Sequence, residues 1–412
     1  MLPYEVKNQA SISTTSGSRI HYLDNLRAIA MMLGVFLHAG FAYAEPANVV
    51  WLATDIYSSR LVDSSIWFIH LFRMGLFFLL SGYFSKMLIE KRGALGLLKN
   101  RTLRIALPFV IFYPVLFIAM TGVIIFAISY LEHPNGVMGL IAAGSQAAQD
   151  NASDRPSKSM FSLMHLWFLY YLFCFSLIGA AVGKRLESLL AGTWQKMFLT
   201  KLYIARSQWV LFSLLPLILI PSVMLSGVPL PAPESFVPSL WPFMYFGAFY
   251  FSGWMLRGRE QLIDLDVGSV LSLAVLMLLA FGVYYWCMPV LDLRIIFGGR
   301  FEQPAVKYWL GIILTCYLSI GLSWLSLICG KRFLNKRSSF MSLVSDSAYW
   351  VYLVHLPLAV FLQTLLVPLE WSLWLKLCLA TMGTLIPCLL SYLIFVRYTP
   401  LGWLLNGKRN FP

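Results

Sequence analysis

Residues 22–40 read YLDNLRAIAMMLGVFLHAG, an apolar stretch close to the roughly 20 residues with which a helix crosses a membrane. Arg27 and His38 lie within it, although charged and titratable side chains are costly in lipid and are usually kept there for a function. Their spacing of eleven residues is about three helical turns, which places both on one helix face about 16 Å apart. Met31 and Gly34 complete this face, and Gly34 leaves room for a ligand to approach the backbone.

The whole chain has the composition of an integral membrane protein. Of its 412 residues, 59% are hydrophobic and 12% are charged, and the mean hydropathy is +0.73. A soluble domain carries about a quarter of its residues as charged side chains, so this chain has half of what it would need in water. The 30 Phe, 20 Tyr and 14 Trp also exclude a disordered chain.

The apolar stretches predict an all-α, polytopic transmembrane helix bundle of about ten spans. We expect a single transmembrane domain over 23–398, with polar tails over 1–22 and 399–412 and no cleaved signal at the start. No internal repeat or matched pair of broken helices, the pattern of many secondary transporters, is visible. The expected spans are 26–44, 64–85, 105–131, 160–182, 208–227, 240–256, 267–287, 305–329, 342–366 and 372–396.

The distribution of basic residues predicts the orientation. With both termini in the cytoplasm, the inner segments hold 22 Lys and Arg and the outer segments hold five, as the positive-inside rule requires. The net charge of +13 is therefore spread over short loops, and this distribution argues against a nucleic-acid partner. The six cysteines include no close pair of the kind that a metal site needs.

The second span, residues 64–86, carries a second set of polar groups on one helix face. It reads SSIWFIHLFRMGLFFLLSGYFSK, and His70, Arg73 and Ser81 recur at helical spacing. His70 falls at the same depth as the histidine of the first span. Ser81 and Gly82 fall near the depth of the first arginine, where small residues beside a cation suit an anionic ligand. Helix packing is the alternative reading of this Ser-Gly pair.

Two more histidines lie inside predicted spans. His165 is expected near the outer end of the fourth span and His355 near the middle of the ninth, so four intramembrane histidines share the outer half of the bundle. Each alone is equally compatible with a ring that neighbouring groups merely satisfy. Arg27 alone is equally compatible with an anchor at the cytoplasmic surface.

These strings together resemble the acyltransferase-3 family of bacterial inner-membrane O-acyltransferases. That family's first helix has an arginine, ten residues and a histidine, matched here by Arg27, which lies within the string LDNLRAIA, and by His38. The strings HLWFL and YLVHLPL and the spacing of the spans resemble the branch that acts on osmoregulated periplasmic glucans. The family's second-helix motif is matched by Arg73, Phe77, Phe78, Ser81, Gly82 and Tyr83.

The resemblance implies transfer of an acyl group, succinyl in that branch, from cytoplasmic acyl-CoA to hydroxyls of a periplasmic glucan. It implies a multi-pass protein of the bacterial inner membrane, with succinyl-CoA as co-substrate, no permanently bound cofactor and the glucan synthesis machinery as a possible partner. Arg27 then suits a phosphate of coenzyme A. His38 suits a general base, or alternatively a covalent acyl carrier. Arg73 suits the oxyanion, or alternatively the succinyl carboxylate.

The remaining candidates are expected to bind substrate, namely Ser81, Gly82, His70, His165 and His355. Two other classes of function remain open on the sequence. A transporter or flippase of a polar substrate would use the histidines as a proton relay. A scaffold for a glucan synthase would need none of them.

Overall fold

The computed structural model describes residues 20–150, 162–197, 215–289, 304–336 and 338–406. Within these ranges the chain is helical and contains no β-strand, which confirms the predicted all-α class. In chain order, the helices are α1 (His21–Gly40), α2 (Arg60–Arg101), α3 (Leu107–Tyr130), α4 (Gly136–Asp150), α5 (Trp167–Met197), α6 (Leu215–Ser226), α7 (Leu240–Leu256), α8 (Val267–Cys287), α9 (Ala305–Phe333), α10 (Ser339–Leu366), α11 (Leu373–Ser391) and α12 (Pro400–Asn406).

Seven helical stretches among the described residues are long and apolar enough to cross a membrane. One of them, Arg60–Tyr130, has 71 residues and includes two of the predicted spans, because α2 continues through a short π-helix into α3. Helix α7 covers the predicted span 240–256, whereas the span predicted at 208–227 begins outside the described residues. The total of about ten spans, the cytoplasmic termini and the domain boundaries remain predictions. Of the predicted tails, residues 1–19 and 407–412 lie outside the described residues, whereas 399–406 are described and contain helix α12.

Helix α2 is longer than a membrane requires and changes direction near its end. Gly93 has φ 69° and ψ 179°, a backbone conformation that glycine adopts readily and that other residues avoid. Helix α2 therefore consists of two helical segments joined by a kink at Gly93, and the second segment ends with the basic residues Lys99 and Arg101.

Glycines allow α2 and α7 to pack with their backbones in contact. A Cβ atom at Gly82 would overlap the carbonyl oxygen of Tyr250 on α7. Reciprocally, a Cβ atom at Gly253 on α7 would overlap the carbonyl oxygen of Leu79 on α2. Such close approach gives van der Waals contact in a bundle where lipid removes the hydrophobic driving force.

Helix α1 packs beside α10, and the two run in parallel. The side chain of Arg27 reaches Ser345 near the start of α10, with 3.0 Å between Nη2 and Oγ. At the other end, Gln363 Nε2 donates hydrogen bonds to the carbonyl oxygens of His38 (2.8 Å) and Ala39 (2.9 Å). These carbonyls are among the last of α1 and have no partner within the helix.

The segment between α1 and α2, residues 41–59, is held against the bundle by a buried ion pair. Lys376 Nζ on α11 lies 2.7 Å from Asp55 Oδ2, and both side chains are fully buried. The same ammonium group lies 3.3 Å from the carbonyl oxygen of Val367 and 5.2 Å from the centre of the Tyr57 ring. Asp55 Oδ1 in turn accepts a hydrogen bond from the backbone N–H of Tyr57. Each charge thus has several partners, as burial demands.

Breaking this ion pair should destabilise the fold. Lys376→Met leaves the Asp55 carboxylate buried and unpaired, for which we expect a loss of about 3–5 kcal/mol. The double variant Asp55→Asn/Lys376→Met removes both charges and should recover much of that loss. Thermal unfolding in detergent measures both, with the exposed Lys91→Met as the control. A Lys376→Met midpoint equal to that of Lys91→Met would contradict the prediction.

Gly82→Ala should prevent normal folding because the new methyl group meets the α7 backbone, which cannot move aside as a flexible side chain would. We expect a loss of at least the roughly 1–3 kcal/mol that overpacking costs. The yield of monodisperse protein from size-exclusion chromatography measures this. Gly122→Ala on α3 is the matched control, because a Cβ there meets nothing within 4 Å. Equal yields of the two variants would disprove the packing role.

Candidate functional site

Three of the four predicted histidines form one cluster. The ring centres of His38 and His355 are 5.2 Å apart, and those of His355 and His165 are 5.4 Å apart. His38 comes from the end of α1, His355 from the middle of α10, and His165 from the 3-10 turn that precedes α5. The structure therefore brings together side chains that are distant in sequence and that the sequence places in the same half of the bundle.

A proline explains the position of His165. Pro357 lies within α10 and has no N–H, so the carbonyl of Leu353, four residues earlier, lacks its helical partner. His165 Nε2 lies 3.0 Å from that carbonyl oxygen and donates to it. In return, the hydroxyl of Tyr352 on α10 donates to the carbonyl oxygen of His165. Two hydrogen bonds thus hold the start of α5 against α10.

His355 is fixed by its own helix. Its Nδ1 lies 3.0 Å from the carbonyl oxygen of Val351 and 2.8 Å from that of Tyr352. Because these carbonyls only accept, His355 Nδ1 is the protonated nitrogen of the neutral ring.

His38 has no comparable restraint. Its Nδ1 is buried and has no hydrogen-bond partner among the described residues. Its ring stacks on that of Trp51, with 5.6 Å between centres and 26° between planes. Trp51 is in turn fixed by Gln363, whose Oε1 accepts the indole N–H at 3.0 Å. The ring that the sequence singles out as a base is therefore positioned by stacking, and no hydrogen bond from the described residues occupies its Nδ1.

Sequence reasoning missed Gln363 and the buried Lys376. Both could have been recognised as candidates in the sequence, because each is a polar side chain within an otherwise apolar predicted span. Each has a side-chain partner in the 41–59 segment, Trp51 and Asp55 respectively, and the sequence does not specify the path of that segment.

Arg73 lies beside the histidine cluster and is buried, with 8% of its surface exposed. No carboxylate lies within ion-pair distance of it in the described part of the chain, and its Nε has no hydrogen-bond partner there. Its guanidinium packs on Gly34, where an added Cβ would lie 2.7 Å from Nη1. The sequence predicted that Gly34 leaves room for a ligand beside the helix backbone. In the structure, the Arg73 guanidinium occupies that space instead. Gly34 precedes His38 by one helical turn, so the cation and the imidazole are neighbours.

His70 lies apart from the other three histidines. Its Nε2 donates to the carbonyl oxygen of Leu230 at 2.9 Å, and its ring contacts Trp67 edge-on at 5.4 Å. It makes no ring contact with the clustered histidines among the described residues. The bond to Leu230 thus satisfies one ring nitrogen of His70, and a role of His70 toward substrate remains a prediction.

The remaining candidates lie toward the other end of the bundle, with Arg27 near the start of α1 and Ser81 and Gly82 on α2. Arg27 lies 3.4 Å from Asp24 and bonds to Ser345, yet 38% of its side chain is exposed. Ser81 Oγ is buried and has no hydrogen-bond partner among the residues described. Gly82 is covered by α7, so its visible role is packing, and any contact with substrate remains a prediction.

Not every arginine at this end is available to a ligand. Arg257 forms ion pairs with Glu90 at 3.1 Å and Glu260 at 3.5 Å. Burial favours a higher pKa for Glu260, but hydrogen bonds from Tyr83 and from the Gly258 N–H outweigh it and hold that pKa below its ordinary value. The charge of Arg257 is therefore compensated by two carboxylates, whereas Arg73 has no carboxylate partner among the described residues.

Comparison with known proteins points to a family. The model of a family described as an acyltransferase domain matches residues 20–393. The chain is 25% identical over 404 residues to glucans biosynthesis protein C of Escherichia coli O81 (strain ED1a). It is 24% identical over 399 residues to the protein of the same name from Escherichia coli (strain SMS-3-5). Each comparison covers 95% of both chains. No solved structure matches.

Proposed function

The chain belongs to the acyltransferase-3 family, and we propose that it is a membrane O-acyltransferase that moves a succinyl group from cytoplasmic acyl-CoA to hydroxyls of a periplasmic glucan. The glucan acceptor is suggested by relatives that carry glucan biosynthesis in their names. A place in the bacterial inner membrane, with both termini in the cytoplasm, belongs to the same proposal. The seven apolar helical stretches support a multi-pass protein.

One observation carries the proposal: an unrestrained imidazole lies beside a buried arginine that has no carboxylate partner among the described residues. Acyl transfer to an alcohol needs a group that accepts the hydroxyl proton and a group that stabilises the negative charge on the carbonyl oxygen. His38 and Arg73 match these two needs. Because the site is buried, the charge of Arg73 acts more strongly than it would in water.

The reaction then follows from these groups. His38 takes the proton of the acceptor hydroxyl while its oxygen attacks the thioester carbonyl, and Arg73 stabilises the resulting oxyanion. When the tetrahedral intermediate collapses, the C–S bond breaks and the coenzyme A thiolate receives the proton from His38. In the alternative route, His38 attacks the thioester first, the C–S bond breaks and the coenzyme A thiolate leaves. The alcohol then displaces the acyl group from the imidazole, and its proton passes to the thiolate.

Arg27 serves the donor in this proposal. It lies on the same helix as His38 but near the predicted cytoplasmic end, and its partly exposed guanidinium suits a phosphate of coenzyme A. Ser81 and Gly82 would lie along the path of the donor. His165, His355 and His70 would bind the acceptor from the opposite side.

Loss of the base should abolish transfer. His38→Ala removes the proton acceptor, for which we expect the rate to fall by about 10²–10⁴-fold with the thermal midpoint nearly unchanged. Mass spectrometry of the acyl groups on periplasmic glucans measures it. His133→Ala, in an exposed linker outside the cluster, is the matched control. Normally acylated glucans from the His38→Ala strain would refute the assignment and favour a noncatalytic scaffold.

The two arginines should affect different kinetic constants. Arg73→Gln should lower kcat by about 10²–10³-fold, as expected when an oxyanion donor is lost. Arg27→Ala should chiefly raise the KM for acyl-CoA, since its proposed contact is with the donor's phosphates. Steady-state kinetics with purified protein in nanodiscs separate these effects, and exposed Arg60→Ala is the control. Proton-coupled uptake of substrate without any dependence on acyl-CoA would instead favour the transporter.

A further inference from the structure

The hydrogen bonds of the histidine cluster determine which ring nitrogens carry protons. His165 donates through Nε2 to Leu353, and His355 donates through Nδ1 to Val351 and Tyr352. All of these partners are carbonyl oxygens, which accept and never donate. In the neutral rings, the lone pairs are therefore on Nδ1 of His165 and on Nε2 of His355.

Neither lone pair has a donor within the protein. His165 Nδ1 is buried without a hydrogen-bond partner, and no hydrogen bond reaches His355 Nε2 from the residues that the structure describes. The two residues are 8% and 4% exposed. An acceptor that is buried to this extent without a donor is destabilising, and a donor entering the bundle would offset that cost.

The surroundings restrict the chemistry of that donor. A fully ionised carboxylate or phosphate group is disfavoured because it offers no proton to these two lone pairs. An ammonium or guanidinium group is disfavoured because the uncompensated charge of Arg73 acts on both His38 and His355. A neutral hydroxyl group remains, and two acceptors on adjacent rings match a molecule that carries neighbouring hydroxyls.

We propose that His165 Nδ1 and His355 Nε2 each accept a hydrogen bond from a hydroxyl of one polyhydroxylated acceptor, such as a sugar ring. The pair selects a neutral polyol and holds one of its hydroxyls beside His38. This inference rests on the proposed function and extends it by assigning a specific nitrogen to each contact. It also divides the cluster: the two rings with fixed protons bind, and the unrestrained ring of His38 moves the proton.

Paired amide substitutions test the assignment, because each amide preserves a different ring position. The Oδ1 atom of asparagine can replace Nδ1 of histidine, whereas the longer glutamine reaches the position of Nε2. His165→Asn therefore keeps the acceptor and His165→Gln loses it. At the other ring the preference reverses, so His355→Gln keeps the acceptor and His355→Asn loses it.

We expect His165→Gln and His355→Asn to raise the KM for a neutral glucan oligosaccharide at least tenfold above that of the opposite amide at the same position. The KM for acyl-CoA should be similar in all four variants. Direct binding of the fluorescently labelled oligosaccharide to each variant in nanodiscs should show the same order of affinities. His165→Asn should bind it more tightly than His165→Gln, and His355→Gln more tightly than His355→Asn. The same preferred amide at both positions, or equal losses for all four, would overturn the inference.

Two further measurements distinguish failure of this inference from failure of the proposed function. Absence of transfer by the unaltered protein would refute the proposed function, while the binding order would still test the two nitrogens. If any variant fails to fold, histidine-selective ¹⁵N NMR of the unaltered protein replaces it. Adding the oligosaccharide should then shift the unprotonated nitrogens of His165 and His355, and unchanged signals would overturn the inference.

Discussion

The contact between α1 and α10 is the interaction on which the candidate site depends. Both helices are largely apolar, and their polar side chains meet along the shared surface: Arg27 with Ser345, and His38 with His355. At the C-terminal ends of the two helices, Gln363 binds the last carbonyls of α1 and the indole of Trp51. Because the two helices run in parallel, one pair of elements spans the distance between the predicted donor and acceptor sides.

The bundle contains one buried cation that is paired with a carboxylate and one that is not paired among the described residues. Lys376 has Asp55 as a partner and fixes the 41–59 segment, which carries the tryptophan that stacks on His38. Arg73 has no carboxylate partner among the described residues, and it packs on a glycine of α1. A compensated pair of this kind can stabilise structure, whereas an uncompensated cation is a cost that binding of an anion or developing negative charge would offset. This contrast separates a structural site from a functional one.

The sequence predicts the fold class and the cluster because both follow from local patterns. Length and hydropathy specify membrane helices, and an eleven-residue spacing places Arg27 and His38 on one face. That these residues face α10 depends on tertiary packing, which spacing does not encode. The gap at Gly34 was predicted, but its occupant, Arg73, comes from another helix. His70 shares the depth of the cluster and yet bonds to a loop, because depth alone does not specify the direction of a side chain.

The proposed reaction requires a donor bound at Arg27 and an alcohol bound at His38 to meet beside α1. An experimental structure with a non-reactive thioether analogue of acyl-CoA and a glucan oligosaccharide is the decisive test. We expect phosphate density at Arg27, the acyl carbonyl between Arg73 and His38, and a sugar hydroxyl within hydrogen-bond distance of the His38 ring. Density for either ligand on another face of the bundle, with these three side chains sealed from it, would contradict the account.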